Sequence, residues 1–100
     1  MPRDLALVAQ ELYRLYLENP DPYGQLIHDL ENTQWNDRIA GSGLLPANVK
    51  VAHKIGNQVR TSNDVGIVFA SHPFVLAVMT ENVDVGVAPM KISELTKLIY

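Results

Sequence analysis

The segment Val51-Ala52-His53-Lys54-Ile55-Gly56-Asn57 holds the residue types in this chain that could do chemistry, because it sets a lysine and a glycine together on a predicted strand. Backbone N–H groups at a strand edge are preorganised donors that can stabilise a developing negative charge. Gly56 would let a substrate approach the backbone closely. The competing interpretations are a solvated strand lysine at Lys54 and a half-exposed strand residue, rather than a general base, at His53.

Other kinds of site find no support in the sequence. The three histidines, His28, His53 and His72, have no short metal-ligand spacing. The chain has no cysteine, which excludes disulfides, thiolate metal sites and a cysteine nucleophile. Gly41 and Gly43 do not complete a dinucleotide-binding fingerprint. We therefore expect neither a metal nor a cofactor.

Composition predicts one small domain over residues 1–100. A chain of 100 residues with 47% hydrophobic and 19% charged content has a thin core. Its 11 acidic and 8 basic residues give a formal charge of −3 and form no basic stripe, which argues against nucleic acid as a partner. No apolar run approaches the roughly 18 to 20 residues that span a bilayer. The start, Met1-Pro2-Arg3-Asp4, lacks the apolar core of a signal peptide.

Apolar residues at spacings of three and four predict the helices that flank the motif. A first helix is expected from about Pro2 to Glu18. Asp21 is the predicted N-cap of a second helix, since Asn19-Pro20-Asp21-Pro22 cannot continue the first. Pro89 is expected to open a terminal helix. The apolar positions behind these helices are Leu5, Val8, Leu12, Leu15, Tyr23, Leu26, Ile27, Leu30, Ile92, Leu95 and Leu98 or Ile99.

Alternation with a period of two predicts strands in the second half of the chain. The first strand is expected at residues 49–56, followed by a turn over 57–62. Buried strands are expected at 65–69 and 74–79, and the short connections imply an antiparallel meander. In the loop before them, Trp35 is the expected packing anchor. The fold class is therefore α+β, with a three-stranded antiparallel sheet and flanking helices.

The motif segment and the later Asn63-Asp64-Val65-Gly66-Ile67-Val68 resemble the serine β-lactamase and penicillin-binding superfamily. They resemble in particular the class A type, whose third motif is lysine, threonine or serine, then glycine. Pro2-Arg3-Asp4-Leu5-Ala6 is similar to the start of the family helix after the acidic active-site loop, and Gly43-Leu44-Leu45-Pro46 precedes the motif strand as in relatives. The resemblance covers nearly the whole chain and implies a partial β-lactamase/transpeptidase-like fold, the carboxy-terminal portion of such a domain.

The resemblance also implies roles for the motif residues. Lys54 would hold the substrate's carboxylate region electrostatically and bias the proton relay, and the N–H of Asn57 would be one oxyanion donor. The candidate catalytic residues are thus Lys54 and Asn57. The substrate-binding candidates are Lys54, Ile55, Gly56, Asn57 and Arg60. Arg60 and Arg38 are weaker candidates than the motif residues, since an arginine in a turn is usually solvated and relatives often place a small residue in the turn after the motif.

Two departures from the family pattern limit what the resemblance implies. Ile55 stands where relatives carry a hydroxyl that bonds the substrate carboxylate, and isoleucine has no such group. No serine is followed three residues later by lysine, and Ser62-Asn63-Asp64 is the wrong order for the family's serine, aspartate, asparagine element. Losing a nucleophile costs on the order of 10⁶ in turnover in a serine protease. We therefore expect no hydrolysis by this chain alone.

Two functions remain open at this point. The first is a segment of a serine hydrolase that opens β-lactams or D-alanyl cell-wall peptides through an acyl-enzyme, and the second is a non-catalytic binding or interaction module derived from that fold. An unrelated α+β domain would explain the strands but not the motif order. The family sheet has five strands, so the strand at 74–79 should have an uncovered edge and uncovered apolar side chains. Its expected partner is the amino-terminal half of the domain or a second copy, and the family is extracytoplasmic.

Overall fold

The computed structural model describes residues 2–41 and 43–100. Two helices precede a three-stranded antiparallel sheet with strand order β1-β2-β3, and a third helix follows it. The elements are α1 (Pro2–Glu18), α2 (Pro20–Glu31), β1 (Lys50–Gln58), β2 (Thr61–Phe69), β3 (Phe74–Val78) and α3 (Ala88–Ile99). The predicted fold class, with helices flanking the sheet, is confirmed.

α1 and α2 cover one face of the sheet. Ile27 of α2 packs against Ala52 and Ile67, which lie directly opposite each other on β1 and β2. Tyr13 of α1 lies over Phe69, with 5.9 Å between the ring centroids. Burying an aliphatic side chain such as that of Ile27 contributes about 1.5–3 kcal/mol to the free energy of folding. The stripes read from the sequence match these surfaces only in part: Leu12, Ile27 and Leu30 pack here, whereas Val8 is 68% exposed and Leu26 is 45% exposed.

The other face of the sheet is covered by α3 and by the loop that precedes β1. Val51 and Val68, another directly opposed pair, pack against Ile39 of the loop and Ile92 of α3. Ile39 is 1% exposed, and its side chain packs this loop against the sheet. Trp35, expected to be the loop's anchor, is 56% exposed, so that prediction is wrong. Here a mid-sized aliphatic residue takes the interior position and the indole stays outside.

β1 and β2 form a tight hairpin. Their register pairs Gln58 with Thr61, which leaves only Val59 and Arg60 in the connection. Arg60 has φ 57°, a left-handed conformation that is uncommon outside glycine, asparagine and aspartate. The turn predicted over residues 57–62 is thus shorter, and both strands extend into it. The sequence pattern could not show this, because polar side chains at the end of a hairpin are solvated whether their backbone is strand or turn.

The helix boundaries differ slightly from expectation. α1 has the predicted bounds. α2 begins one residue before Asp21, with Asn19 at the N-cap and no side-chain capping bond, because Pro20 itself suits the first helical position. α3 begins at Ala88, just before Pro89. Within residues 2–41 and 43–100, no helix combines the length and apolarity that a membrane crossing requires.

β3 lies at one edge of the sheet and β1 at the other. All five β3 side chains are half-buried, since Val75 faces the α1 layer while Leu76 and Val78 contribute to the cluster under α3. The expectation that the apolar side chains of residues 74–79 lie uncovered is met only in part, since those of Phe74–Val78 are half-buried and Met79 is 42% exposed. The backbone edge is a separate matter: β3 pairs with β2 alone among the strands described.

Candidate functional site

The outer edge of β1 is defined by the direction of its backbone groups. Both backbone groups of Ser62 point away from β1, because its N–H donates to Thr80 Oγ1 and its carbonyl accepts from the same hydroxyl, each at 2.8 Å. In an antiparallel ladder, opposed residues either exchange both bonds or neither. Asn57, the partner of Ser62, therefore directs its N–H and carbonyl outward, and so does Ile55 two residues earlier. This edge presents backbone groups with no strand partner among the residues described.

Lys54 lies on the sheet face that α1 and α2 cover, next to the outer edge. Its side chain is exposed, and Nζ donates to the outward carbonyl of Ile55 at 2.7 Å. A cavity of about 160 Å³ opens beside it, between α1 and the two long strands. Its lining is apolar except for His53 and Lys54; the other residues are Leu5, Val8, Ala9, Leu12, Leu30, Ala52, Val65, Gly66 and Ile67. The cation thus lies exposed at the strand edge, hydrogen-bonded to the Ile55 carbonyl.

The glycines of the hairpin differ in what surrounds them. A methyl group at Gly56 would meet nothing within 4 Å, which leaves open space above the backbone between Lys54 and Asn57. A methyl group at Gly66 would lie 2.8 Å from the Ala52 carbonyl oxygen and 2.8 Å from the His53 Cβ. Gly66 is therefore a packing glycine that brings β1 and β2 together. Gly56 has no such packing requirement.

His53 and Asp64 form a buried polar pair on the face opposite Lys54. Their residues are 1% and 2% exposed, and His53 Nδ1 lies 3.0 Å from both carboxylate oxygens. A carboxylate only accepts hydrogen bonds, so Nδ1 carries a proton and donates. Asp64 also accepts the Ile39 N–H at 3.1 Å, and His53 Nε2 lies 3.0 Å from Asn36 Oδ1. The expectation of a half-exposed histidine is wrong, because a strand position that faces this loop becomes interior.

Arg38 is buried beneath the end of the hairpin, with 5% of the residue exposed. Its Nε donates to Ser62 Oγ at 2.6 Å and its Nη2 donates to Asn57 Oδ1 at 2.7 Å. Nη1 lies 3.4 Å from the exposed Asp37 carboxylate, without the alignment of a hydrogen bond. The guanidinium therefore bridges two opposed residues of β1 and β2 from within the protein, where it is withdrawn from solvent.

The sequence candidates fall into two places. Lys54, Ile55, Gly56 and Asn57 lie consecutively along the β1 edge, with Ile55 half-buried and the other three exposed. Arg60 lies at the hairpin tip, where its exposed side chain forms no hydrogen bond or ion pair with the residues that the structure describes. Arg60 is thus separated from the edge residues by its position in the turn. Arg38, from the loop that precedes β1, contacts the Asn57 side chain.

Asp64 and Ser62 were not singled out by the sequence, although both are fully interior polar residues that meet His53 and Arg38. One signal could have found Asp64. It directly precedes the apolar run that begins at Val65 on the same strand, and a buried carboxylate in that position needs a compensating partner. With a two-residue turn, the register puts it on the same face as His53. The missing information was the turn length.

The clearest shift of a side-chain pKa lies away from this edge. On the solvent face of α1, hydrogen bonding by the Arg14 guanidinium lowers the pKa of the Glu11 carboxyl. Glu11 and Glu18 together raise the pKa of Arg14. No group of three or more histidine or acidic side chains is placed to hold a metal ion among residues 2–41 and 43–100. The candidate site is therefore built from one exposed cation and outward backbone groups.

Comparison with solved structures identifies the same architecture in proteins of known class. The β-lactamase of Sphaerobacter thermophilus matches 99% of this chain with 26% identity and a TM-score of 0.85, and the match covers 38% of that protein. A variant of the last common ancestor of Gram-negative bacterial class A β-lactamases matches 92% of this chain with 29% identity and a TM-score of 0.75, covering 37% of its own length.

A third solved structure, that of PBP-A, is 22% identical over 99% of this chain with a TM-score of 0.82, which supports the fold alone. The chain thus spans under two-fifths of the length of the structures that it matches. A search of curated proteins finds no match. The model of the beta-lactamase enzyme family matches residues 1–100, and with that match the chain belongs to this family.

Proposed function

We propose that this chain supplies one wall of the acyl-transfer site of a β-lactamase-like serine hydrolase. The observation that carries the proposal is the outward-facing backbone of Asn57 beside the exposed cation of Lys54. In this arrangement the N–H of Asn57 donates to the oxyanion of the tetrahedral intermediate. Lys54 attracts the substrate carboxylate and favours the charge distribution of the proton relay.

Substrate access to this edge follows from the open space at Gly56. An amide substrate laid along the outer edge of β1 would meet the outward N–H of Ile55 and both outward backbone groups of Asn57, in the manner of an added strand, while the Ile55 carbonyl accepts from Lys54 Nζ. Gly56 between them leaves room for close approach. The substrates that fit the family are β-lactams and the D-alanyl ends of cell-wall stem peptides, which places the parent protein outside the cytoplasm.

The rest of the catalytic apparatus must come from other residues. No serine in the chain stands three residues before a lysine, so the attacking hydroxyl belongs to another polypeptide segment. The amino-terminal part of such a domain, paired along the free edge of β3, is the partner that would complete the site. Alone, the chain is inactive.

One observation favours a second function, a non-catalytic binding or interaction module. Ile55 replaces the hydroxyl with which relatives hold the substrate carboxylate, and its side chain offers no hydrogen bond. A module of this kind would retain the strand edge as a docking surface for extended peptides without acylation. The two functions differ in whether a covalent intermediate can form once a nucleophile is supplied.

The test is a chimera in which these 100 residues replace the matching 38% of the Sphaerobacter thermophilus β-lactamase. Folding is checked by circular dichroism, and a penicillin adduct by intact mass spectrometry. We expect an adduct in the chimera and none on the 100-residue chain alone. Lys54→Met should slow adduct formation at least tenfold, whereas Lys50→Met, an exposed lysine on the same face of β1, should not.

Each contrary result has a defined meaning. A folded chimera that forms no adduct contradicts the hydrolase proposal and favours the binding module. An adduct on the isolated chain would show that it holds its own nucleophile. Equal effects of Lys50→Met and Lys54→Met would show that Lys54 acts only through the general charge of the strand.

A further inference from the structure

We infer that Arg38 is a positioning residue that fixes the Asn57 peptide at the outer edge of β1. The inference rests on the proposed role of the Asn57 N–H as an oxyanion donor. It assigns to Arg38 no contact with substrate, since the guanidinium lies inside the protein on the face opposite Lys54. Arg38 acts instead through the Asn57 side chain.

Asn57 needs such support because of its place in the sheet. It lies one residue before the end of an edge strand, and its backbone groups face outward, so the β2 ladder does not hold its own N–H and carbonyl. Strand ends with solvent-exposed backbone open with little free energy. An oxyanion donor is effective only when it is already oriented before the reaction. The hydrogen bond from Arg38 to the Asn57 side chain supplies that orientation.

The guanidinium has the geometry of a clamp across the two strands. Nη2 holds Asn57 Oδ1 at 2.7 Å, and Nε holds Ser62 Oγ at 2.6 Å. Asn57 and Ser62 are directly opposed, in a pair that exchanges no backbone bonds. Arg38 therefore ties together the one pair near the hairpin end that the ladder leaves untied. The planar fork of an arginine can make both bonds at once, which a lysine ammonium on a flexible stem does far less well.

The backbone around Arg38 is itself held in place by hydrogen bonds to α3, to the loop and to Asp64. The Arg38 carbonyl accepts the Ser93 hydroxyl of α3 and the Gly41 N–H, the latter at 2.9 Å. The next residue, Ile39, donates its N–H to the buried Asp64 carboxylate at 3.1 Å. A Cβ at Gly41 would lie 2.5 Å from the Asp37 backbone and 2.7 Å from Ser93 Oγ, so this turn packs closely against Asp37 and α3. Through these bonds, Arg38 fixes the position of Asn57 relative to α3 and to the core.

The test measures backbone order in the 100-residue chain by ¹⁵N relaxation, without substrate. In the unmodified chain the residue 57 amide should have an order parameter of about 0.85, the value of rigid backbone, and in Arg38→Lys it should fall below about 0.6. The Leu76 amide in β3 should not change in the same variant. Arg14→Lys, an exposed arginine on α1, is the matched control and should leave both amides as they are.

A second pair of variants keeps the test decisive if Arg38→Lys does not fold. Asn57→Leu removes the acceptor from the exposed strand end, while Asn57→Asp keeps an oxygen at the same reach. We expect Asn57→Leu to loosen residue 57 and Asn57→Asp to preserve its order. A rigid residue 57 in Asn57→Leu overturns the inference, and so does loosening of β3 to the same extent as residue 57, since Arg38 would then support the fold in general.

These spectra are independent of the hydrolase proposal. A chimera without a penicillin adduct would contradict the catalytic role and leave the measured order of residue 57 unaffected. A rigid residue 57 in the folded variants would refute the clamp and leave the adduct result unaffected.

Discussion

At the scale of single residues, Ile55 separates the two proposed functions. It lies on the β1 edge between Lys54 and Gly56, and its half-buried side chain is branched at Cβ as threonine is. Ile55→Thr should therefore keep the strand while adding the hydroxyl. A hydrogen bond to a charged group contributes about 1.5–3 kcal/mol, which corresponds to at least about tenfold faster adduct formation in the chimera. The rate of penicillin acylation, followed by mass spectrometry, checks this prediction.

Ile55→Val is the matched control for that change, because it has the shape of threonine without the hydroxyl. Equal rates for the threonine and valine variants would show that the side chain at this position does not meet the substrate carboxylate. The structure would then favour a binding mode in which the backbone edge alone recognises the ligand.

The buried pair of His53 and Asp64 predicts a large loss of stability when it is broken. Asp64→Ala leaves the His53 Nδ1–H and the Ile39 N–H without their acceptor in the interior. A buried donor left without its acceptor costs about 1–3 kcal/mol, and this substitution leaves two such donors. Urea unfolding of the 100-residue chain measures this. Glu94→Ala, which removes an exposed partner of Lys91, should change the midpoint little, and an equally small effect of Asp64→Ala would contradict the account of the pair.

Residue patterns in the sequence predicted which candidate residues lie together only where local order sufficed. Lys54 and Gly56 are consecutive with Asn57 along one strand, so their proximity needs no tertiary information. The placement of Arg38 beneath Asn57 depends on the path of a loop of irregular structure, which hydrophobic periodicity does not encode. Interior polar residues such as His53 are equally hard to infer, because their burial depends on partners far along the chain.

At the scale of elements, the β1–β2 hairpin depends on the difference between its two inner glycines. Gly66→Ala should force β1 away from β2, since its methyl group would meet backbone and Cβ atoms at 2.8 Å. Overpacking of this kind costs about 1–3 kcal/mol. Gly56→Ala meets open space and should leave the unfolding free energy nearly unchanged. Urea titrations of the two variants give the comparison directly.

In the acylation assay, Gly56→Ala should have a clear effect even though it hardly changes the free energy of unfolding. Gly56→Ala places a methyl group where a substrate would approach the strand, so the folded chimera should acylate more slowly. Unchanged acylation in Gly56→Ala would mean that substrate does not lie across this part of β1. Loss of stability in Gly56→Ala as large as in Gly66→Ala would contradict the packing difference.

Element identities were predictable because each element has a clear period. The stripe at Leu5, Val8 and Leu12 gave α1 with its correct bounds, and the alternation through Val51, His53 and Ile55 gave β1. The hairpin turn was less predictable, because Val59 and Arg60 carry no glycine or asparagine signal for a two-residue connection. Tertiary pairing of β1 with β2, rather than local turn preference, sets the length of that connection.

At the scale of the whole molecule, the backbone edge of β3 should decide how the chain associates. Ser62 directs its backbone to the β3 side, so by alternation Asp64, Gly66 and Val68 do the same, and their partners on β3 make the ladder bonds. Ala77 lies between two such partners and therefore points its N–H outward. An edge strand with free backbone groups and apolar side chains pairs readily with another strand.

We therefore expect the isolated chain to self-associate at micromolar concentration, and Ala77→Pro to make it monomeric. A proline at residue 77 removes an outward N–H and leaves the bonds to β2 in place. Leu76→Pro is the matched control, because residue 76 faces β2 opposite Gly66, and its substitution should instead lower the unfolding midpoint. Size-exclusion chromatography with light scattering measures the mass of each form. A compact monomer of the unmodified chain would contradict self-association through β3 and leave the amino-terminal segment of the domain as the expected partner of that edge.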